Sequence, residues 1–301
     1  VGEPRERFSE DALRIMRAVR FSAQLGYRIE EKTKAAIEEL APTLKKISAE
    51  RIQVELVKLV TSKHPEELLT AYETGITSVI LPEFDLCMET EQHNPHHLYN
   101  VGMHTIHAME VIPADKVLRL AMLFHDMGKP VCRETDERGI DHFHGHPQVS
   151  EEITGKVLRR LKFDNDTVYM VKKLVRCHDQ YIPADERGVR RAMWRVGEDA
   201  FPLLLQVKKA DMEAQSTFLI EEKEKNLQEV GRIYQEILEK KQCVSLKTLA
   251  VNGKDLMDEA GYVPGKELGT ILQELLQLVI EEPELNDKRT LLKEARQRRN
   301  R

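Results

Sequence analysis

The stretch EDALRIMRAVRFSAQL, residues 10–25, decides the fold class of this 301-residue chain. Its apolar residues recur every three or four positions, which is the spacing of one face of an α-helix. They are Leu13, Ile15, Met16, Val19, Phe21 and Leu25. Gly26 follows as a C-terminal stop signal. The pattern predicts an amphipathic helix from Glu10 to Leu25.

Helical spacing continues along most of the chain. It predicts helices at about Glu30–Leu40, Ser48–Thr61 and Pro65–Thr74, with Gly75 and Pro82 ending this first unit. Dense alternating charge after Glu221 predicts a long solvated helix. Residues 252–280 read as two helices around a Gly/Pro turn, and RQRRNR (296–301) reads as a solvated tail. We therefore predict an all-α fold, an elongated helical array.

Composition limits the classes of function. The net charge of -5 and the pI near 6.2 exclude a globally basic nucleic-acid-binding protein, although local basic faces remain open. The four cysteines form no CxxC pair, which favours reduced thiols in a cytoplasmic protein over a zinc ribbon or a disulfide framework. No apolar run approaches the roughly 20 residues of a membrane span.

One local basic cluster surrounds the single tryptophan, Trp194. Its members are Arg187, Arg190, Arg191 and Arg195. Arginines beside an aromatic ring can bind RNA through charge and stacking. A solvated helix face over a buried tryptophan is the alternative, and the sequence leaves both open.

Histidines are concentrated in one part of the chain, because ten of the eleven lie between His93 and His178. His125 and Asp126 are adjacent in LAMLFHDMGKP, residues 120–130. Neighbours on a helix point about 100° apart, so both side chains can reach one metal only where the helix ends beside a pocket. His104 and Asp211 lie in other helical segments that can face this pair.

These residues predict a divalent-metal site. We expect the first ion to be bound by His104, His125, Asp126 and Asp211, and a second ion to be bound with the help of His146 and His178. Imidazole and carboxylate ligands suit Zn, Mn, Fe, Co or Ni, with Mg also open. We expect His107, His142 and His144 to line the pocket or to orient its loop rather than to bind metal.

Such a site is typical of phosphoester hydrolysis, in which two metals can bind the attacking and leaving oxygens. The sequence predicts a metal-dependent phosphohydrolase with His125, Asp126 and Lys129 as its catalytic residues. Lys129 either neutralises a phosphate or is simply solvated. A structural metal site without turnover is the alternative.

Several segments together resemble one family, the bacterial CCA-adding tRNA nucleotidyltransferases with an HD domain. RERFSEDALRIMRAVRFSAQLGY (5–27) is similar to the family's neck pattern EDxLRxxRAxRFxxxLG. HNPHHLYNVGMHT, LFHDMGKP, HFHGHPQVS and GKDLMDEAGYVPGKELGTIL also resemble family segments. The similarity extends over essentially the whole sequence.

The resemblance implies roles for residues that composition does not single out. Asp11 and Arg14 would pair with the base edge of ATP or CTP, and Arg17 and Arg20 would complete the nucleotide-binding set. It further implies a neck (1–85), an HD phosphohydrolase domain (86–215) and a tRNA-binding helical tail (216–301). The partners would be tRNA, ATP and CTP, and the nucleotidyl-transfer head would precede Val1.

The resemblance also implies an activity for the predicted metal site. HD domains of this family are associated with 2′,3′-cyclic phosphodiesterase and phosphatase activity, whereas the parent enzyme adds CCA to tRNA 3′ ends. The alternative is a non-catalytic tRNA-binding module with a structural metal site.

Overall fold

The structure is a computed structural model that describes residues 2–299. Its α-helices are α1 Pro4–Glu10, α2 Leu13–Leu25, α3 Glu31–Leu40, α4 Ala49–Val60, α5 Leu68–Glu73, α6 Ile76–Ile80, α7 Pro82–Met88, α8 Val101–Val111, α9 Lys116–Phe124, α10 Lys129–Cys132, α11 His146–Arg160, α12 Asn165–Cys177, α13 Glu186–Val196, α14 Phe201–Glu213, α15 Ile220–Glu239, α16 Gly253–Ala260, α17 Lys266–Glu281 and α18 Lys288–Arg299. Short 3₁₀ helices span Ala41–Lys46, Pro65–Glu67 and Pro283–Leu285.

One small hairpin accompanies the helices. Strands β1 Glu134–Thr135 and β2 Asp141–His142 pair antiparallel, with Glu134 opposite His142. The predicted all-α class is confirmed. No helix among residues 2–299 is both long and apolar enough to cross a bilayer.

The chain packs into two compact units. The first contains the residues up to Gln180 together with Leu203–Ile220, and the second contains Tyr181–Pro202 and the residues from Glu221 onward. All six predicted metal ligands belong to the first unit. The division of the sequence into neck, metal and tail segments by function stays a prediction.

The predicted helix Glu10–Leu25 is interrupted near its start. Asp11 has φ -148° and ψ 105°, an extended conformation, and its Oδ1 accepts a hydrogen bond from the Leu13 amide at 3.0 Å. A short acidic side chain that bonds a backbone amide two residues on competes with helix continuation. The sequence therefore forms α1 and α2, with Asp11 at the junction and Arg14 in the first turn of α2.

Two further boundaries differ from the predictions. Pro82 begins a helix, α7, instead of ending the first unit, because proline suits the first turn, where no amide is needed. Arg296 and Arg299 of the predicted tail lie in α18 and donate to the carbonyls of Glu259 and Ala260. Residues 300–301 of that tail lie outside the described residues. The predicted helices at α3, α4, α15, α16 and α17 are confirmed.

Helix α9 is the buried element that positions the site. Leu118 and every residue from Leu120 to Phe124 are at most 3% exposed, and α9 packs against α4, α8, α11 and α12. From Leu118 onward every residue of α9, including Arg119, is buried, so this part of the helix lies in the core. The residues that follow it, His125 and Asp126, are therefore placed deep in the first unit.

Candidate metal centre

The His125-Asp126 pair lies where α9 ends. The His125 backbone is still helical, and its ring Nδ1 donates to the Met122 carbonyl at 2.6 Å. Three residues after His125, a Cβ added to Gly128 would lie 2.5 Å from the His146 carbonyl oxygen. The Gly128 amide donates to Ser150 Oγ at 2.8 Å. A glycine here thus allows the end of α9 to touch the start of α11, which carries His146.

Four imidazoles are oriented in the same way. Each ring directs Nδ1 at a backbone carbonyl: His104 at Ala214 (3.3 Å), His125 at Met122 (2.6 Å), His146 at Phe143 (2.8 Å) and His178 at Val175 (2.7 Å). A carbonyl oxygen can only accept, so each Nδ1 carries a hydrogen and Nε2 is the ring atom that remains for a metal. Metal-binding histidines are usually oriented by such a bond.

The inward-facing atoms form two clusters. The first consists of His104, His125 and Asp211, and the second of Asp126, His146 and His178; in each, the ligand atoms lie within 4.8 Å of one another. The structure brings together all six residues that the sequence predicts as ligands. In the second cluster, His146 Nε2 and His178 Nε2 are 3.2 Å apart.

Asp126 stands between the clusters. Its Oδ2 lies 3.1 Å from His125 Nε2 and 3.7 Å from His104 Nε2, whereas its Oδ1 lies 3.3 Å from His146 Nε2 and 3.5 Å from His178 Nε2. Within residues 2–299, neither oxygen has a partner with hydrogen-bond geometry, although both are buried and Lys129 Nζ lies 2.7 Å from Oδ2. Buried carboxylate oxygens rarely lack such a hydrogen bond. The two oxygens and the nitrogen and oxygen donors around them fit divalent metal ions.

Charge coupling inside the site is strong. Burial opposes a charged His125, but the carboxylates of Asp126 and Asp211 outweigh burial and raise the pKa of His125 to about 10. Burial would raise the pKa of both aspartates, yet His125 and Lys129 hold the pKa of Asp126 well below its usual range, and His104 and His125 do the same for Asp211. Both carboxylates are thus in the ionised form that binds metal.

Lys129 is buried beside this centre, so the solvated alternative is wrong. Its Nζ lies 2.7 Å from Asp126 Oδ2, donates to Gln92 Oε1 at 2.8 Å and lies 3.4 Å from His97 Nε2. Burial and the Lys129 charge lower the pKa of His97 to about 3. Gln92 and His97 contribute to the site although neither was predicted, and no spacing in the sequence marks them.

A cavity of about 450 Å³ opens onto the clusters. Its lining includes the segment 94–97 and the segment 140–145, which contains β2, together with Asp126, Lys129, His146, His178 and Asp211. His142 and His144 line the cavity and stack on each other. His107 is outside its lining and bonds Glu110 at 2.8 Å.

The predicted nucleotide-binding residues lie together on α2 and at its start, away from the cavity lining. Asp11 pairs with Arg51 at 2.9 Å, and Arg14 donates to the Arg7 carbonyl. Arg17 is exposed. Arg20 is buried against Glu55, with 3.0 Å between Nε and Oε2. Arg20 therefore has a packing role in this structure whatever else it binds.

The arginine cluster around Trp194 lies in the second unit. Arg190 is buried and donates to the Ile280 carbonyl at 2.8 Å, while Arg187 and Arg191 both pair with Glu281. Trp194 is 36% exposed. Arg190 therefore has a packing role, whereas Arg187 and Arg191 are exposed and share one carboxylate, so RNA binding by this cluster stays a prediction.

The fold and the buried cluster define an all-α protein with a candidate divalent-metal site. The chain belongs to the tRNA nucleotidyltransferase family: the family model for tRNA nucleotidyltransferase domain 2 matches residues 134–295, more than half of the chain. A second family model, "Probable RNA and SrmB- binding site of polymerase A", matches residues 26–88.

Curated relatives agree with this family. The chain is 31% identical to the A-adding tRNA nucleotidyltransferase of Deinococcus radiodurans over 89% of this chain and 64% of the relative. It is 33% identical to the CC-adding tRNA nucleotidyltransferase of Thermus thermophilus, covering 90% of this chain and 63% of the relative. It is 30% identical to the CCA-adding enzyme of Limosilactobacillus reuteri, covering 98% and 62%. The chain thus spans less than two thirds of their length.

A solved structure shares the fold. The Bacillus stearothermophilus CCA-adding enzyme in complex with CTP matches with a TM-score of 0.65 at 21% identity, covering 99% of this chain and 65% of that protein. At this identity the likeness concerns the fold alone.

Proposed function

We propose that the His/Asp centre binds two divalent metal ions and hydrolyses a phosphoester. The observation that carries the proposal is the position of Asp126, whose two buried oxygens each face a separate imidazole pair. His104, His125 and Asp211 would hold one ion, His146 and His178 the other, and Asp126 both. When bound, the ions supply the Lewis acidity that phosphoester hydrolysis needs.

The chain's own residues orient the substrate. The Lys129 ammonium lines the cavity and donates a hydrogen bond to Gln92. It is placed to bind a phosphoryl oxygen. Its burial strengthens this attraction, because the protein around it excludes most of the water that would screen the charge. The cavity volume of about 450 Å³ lies within the usual range for small-molecule sites.

The donor set narrows the choice of metal. Four imidazoles and two carboxylates suit Mn, Fe, Co, Ni or Zn better than Mg, which prefers oxygen ligands. Metal-dependent hydrolysis should therefore be stronger with a transition metal than with Mg²⁺.

The experiment is hydrolysis of bis-p-nitrophenyl phosphate and of 2′,3′-cyclic AMP by the purified chain with Ni²⁺, Mn²⁺, Co²⁺ or Mg²⁺. We expect turnover that the double variant His125→Ala/Asp126→Ala loses. Glu213→Gln, an exposed carboxylate on the same helix as Asp211, is the matched control and should keep full activity. Folded, metal-loaded protein without turnover would favour a structural metal site instead.

We also propose that the chain handles tRNA. Support comes from family membership and from relatives named for adding A, CC or CCA to tRNA. In this proposal Asp11 and Arg14 contact ATP or CTP in the full-length protein, residues 1–85 and 216–301 bind tRNA, and the protein works in the cytoplasm. Filter binding of tRNA by the His125→Ala/Asp126→Ala variant tests the separation of the two functions. Binding equal to that of the unmodified chain is expected, and absence of binding in both would reject tRNA handling by this chain.

A further inference from the structure

Lys208 is a basic residue with no role in the proposed chemistry, yet it connects the two metal clusters. It lies on α14, one helical turn before Asp211. Its Nζ donates to the backbone carbonyl of His178 at 2.7 Å. One residue therefore joins the helix of a first-cluster ligand to the backbone of a second-cluster ligand.

The bonded carbonyl lies at the C-terminal end of α12, where helix carbonyls lack partners within the helix. Nearby carbonyls are satisfied in other ways: Val175 accepts from the His178 ring at 2.7 Å, and Cys177 accepts from the Gln180 amide at 3.2 Å. A cation at this end is also favoured by the helix dipole. Lys208 thus fixes both the position of residue 178 and the end of its helix.

We infer that Lys208 is a positioning residue, which sets the place of His178 relative to Asp211 and so determines how well the second cluster binds metal. This inference rests on the proposed two-metal site. Outer residues that orient metal ligands typically contribute about 10- to 100-fold to metal affinity.

Electrostatics alone predicts the opposite change in metal affinity. A buried cation near a metal site repels the metal, so removing its charge should tighten metal binding. Removing a positioning contact should weaken binding. The direction of the change in affinity therefore separates the two roles.

The test is titration of the chelator-stripped, full chain with Co²⁺, followed by visible absorption and metal content. For Lys208→Met we expect affinity for one of two ions to fall by about 10- to 100-fold, with the other ion retained. Lys208→Arg, which keeps a cationic donor, should recover most of the affinity. Lys209→Met is the matched control, because Lys209 is exposed and pairs with Glu213, and it should bind Co²⁺ as the unmodified chain does.

Each outcome is decisive. Unchanged or tighter binding by Lys208→Met overturns the positioning role while leaving the metal site intact. Failure of the unmodified chain to bind Co²⁺ overturns the proposed function and this inference with it. If Lys208→Met does not fold by circular dichroism, Lys208→Gln replaces it, and the same loss at one ion is expected.

Discussion

His104 Nε2 and Asp211 Oδ1 lie 2.9 Å apart, although 107 positions separate the two residues in the sequence. The other Asp211 oxygen, Oδ2, accepts from Gln215 Nε2 at 3.1 Å. Asp211 Oδ2 is thus held by a residue outside the first cluster, while Oδ1 faces that cluster. This is the arrangement expected of a carboxylate ligand with an orienting partner.

Replacing Asp211 by asparagine should remove metal from the first cluster. We expect Asp211→Asn to bind about one divalent ion per chain fewer, because a neutral amide is a weaker ligand than a carboxylate. Metal content measured after reloading with Mn²⁺ checks this. Glu213→Gln should retain the full content, and equal content in Asp211→Asn would exclude Asp211 as a ligand.

A methyl group at Gly128 should destabilise the first unit. The added Cβ of Gly128→Ala would meet the His146 carbonyl oxygen at 2.5 Å and the Ser150 amide at 2.7 Å, so backbone must shift. Overpacking of this kind costs about 1–3 kcal/mol, which denaturant unfolding measures. The control is Gly231→Ala in α15, where no atom lies within 4 Å; it should stabilise by up to about 1 kcal/mol. An unchanged free energy of unfolding for Gly128→Ala would contradict the close packing.

The candidate ligands could be predicted from the sequence because their residue types are distinctive. An adjacent His-Asp pair before a glycine, with further histidines in the same segment, can be recognised from the sequence alone. The helices were predictable for a similar reason, since apolar spacing is a local property. The break at Asp11 was not, because one side-chain bond to the Leu13 amide overrides an uninterrupted apolar pattern.

The supporting residues could not be predicted. Gln92 bonds Lys129 across 37 positions, and Lys208 bonds the His178 backbone across 30 positions. Neither residue type is unusual, and no periodicity records such distant contacts. The hydrogen bond from Arg190 to the carbonyl of Ile280 is also long in range, so the sequence left an RNA-binding surface open there.

The buried ion pair of Arg20 and Glu55 gives a test of the packing between α2 and α4. The side chains are each 8% exposed. Arg20→Met should lower the free energy of unfolding by about 3–5 kcal/mol, because it leaves the Glu55 carboxylate buried without its cation. Arg20→Met combined with Glu55→Leu should recover most of this loss. Arg17→Met, an exposed arginine on the same helix, is the control. Stability of Arg20→Met equal to that of Arg17→Met would show that the pair contributes nothing.

Asp164 should stabilise α12, which carries His178, in a pH-dependent way. Its carboxylate accepts from the Thr167 amide at 2.8 Å, and this bond with others lowers its pKa to about 2. Because the pKa is depressed on folding, the stabilisation is complete above the ordinary value of 3.8 and is lost as the pH falls through about 2.

Asp164→Ala should therefore cost about 1 kcal/mol at pH 7, the usual effect of losing an N-cap. The difference in unfolding free energy between the variant and the unmodified chain should shrink as the pH falls from 4 towards 2. A difference that stays constant over this range would show that the carboxylate charge is not involved.

The most direct test of the two-metal centre is anomalous X-ray scattering from crystals of the chain grown with Mn²⁺. We expect two peaks on opposite sides of the Asp126 carboxylate, one beside His104, His125 and Asp211 and the other beside His146 and His178. Peaks elsewhere, or none in crystals whose protein binds Mn²⁺ in solution, would contradict the two-metal centre.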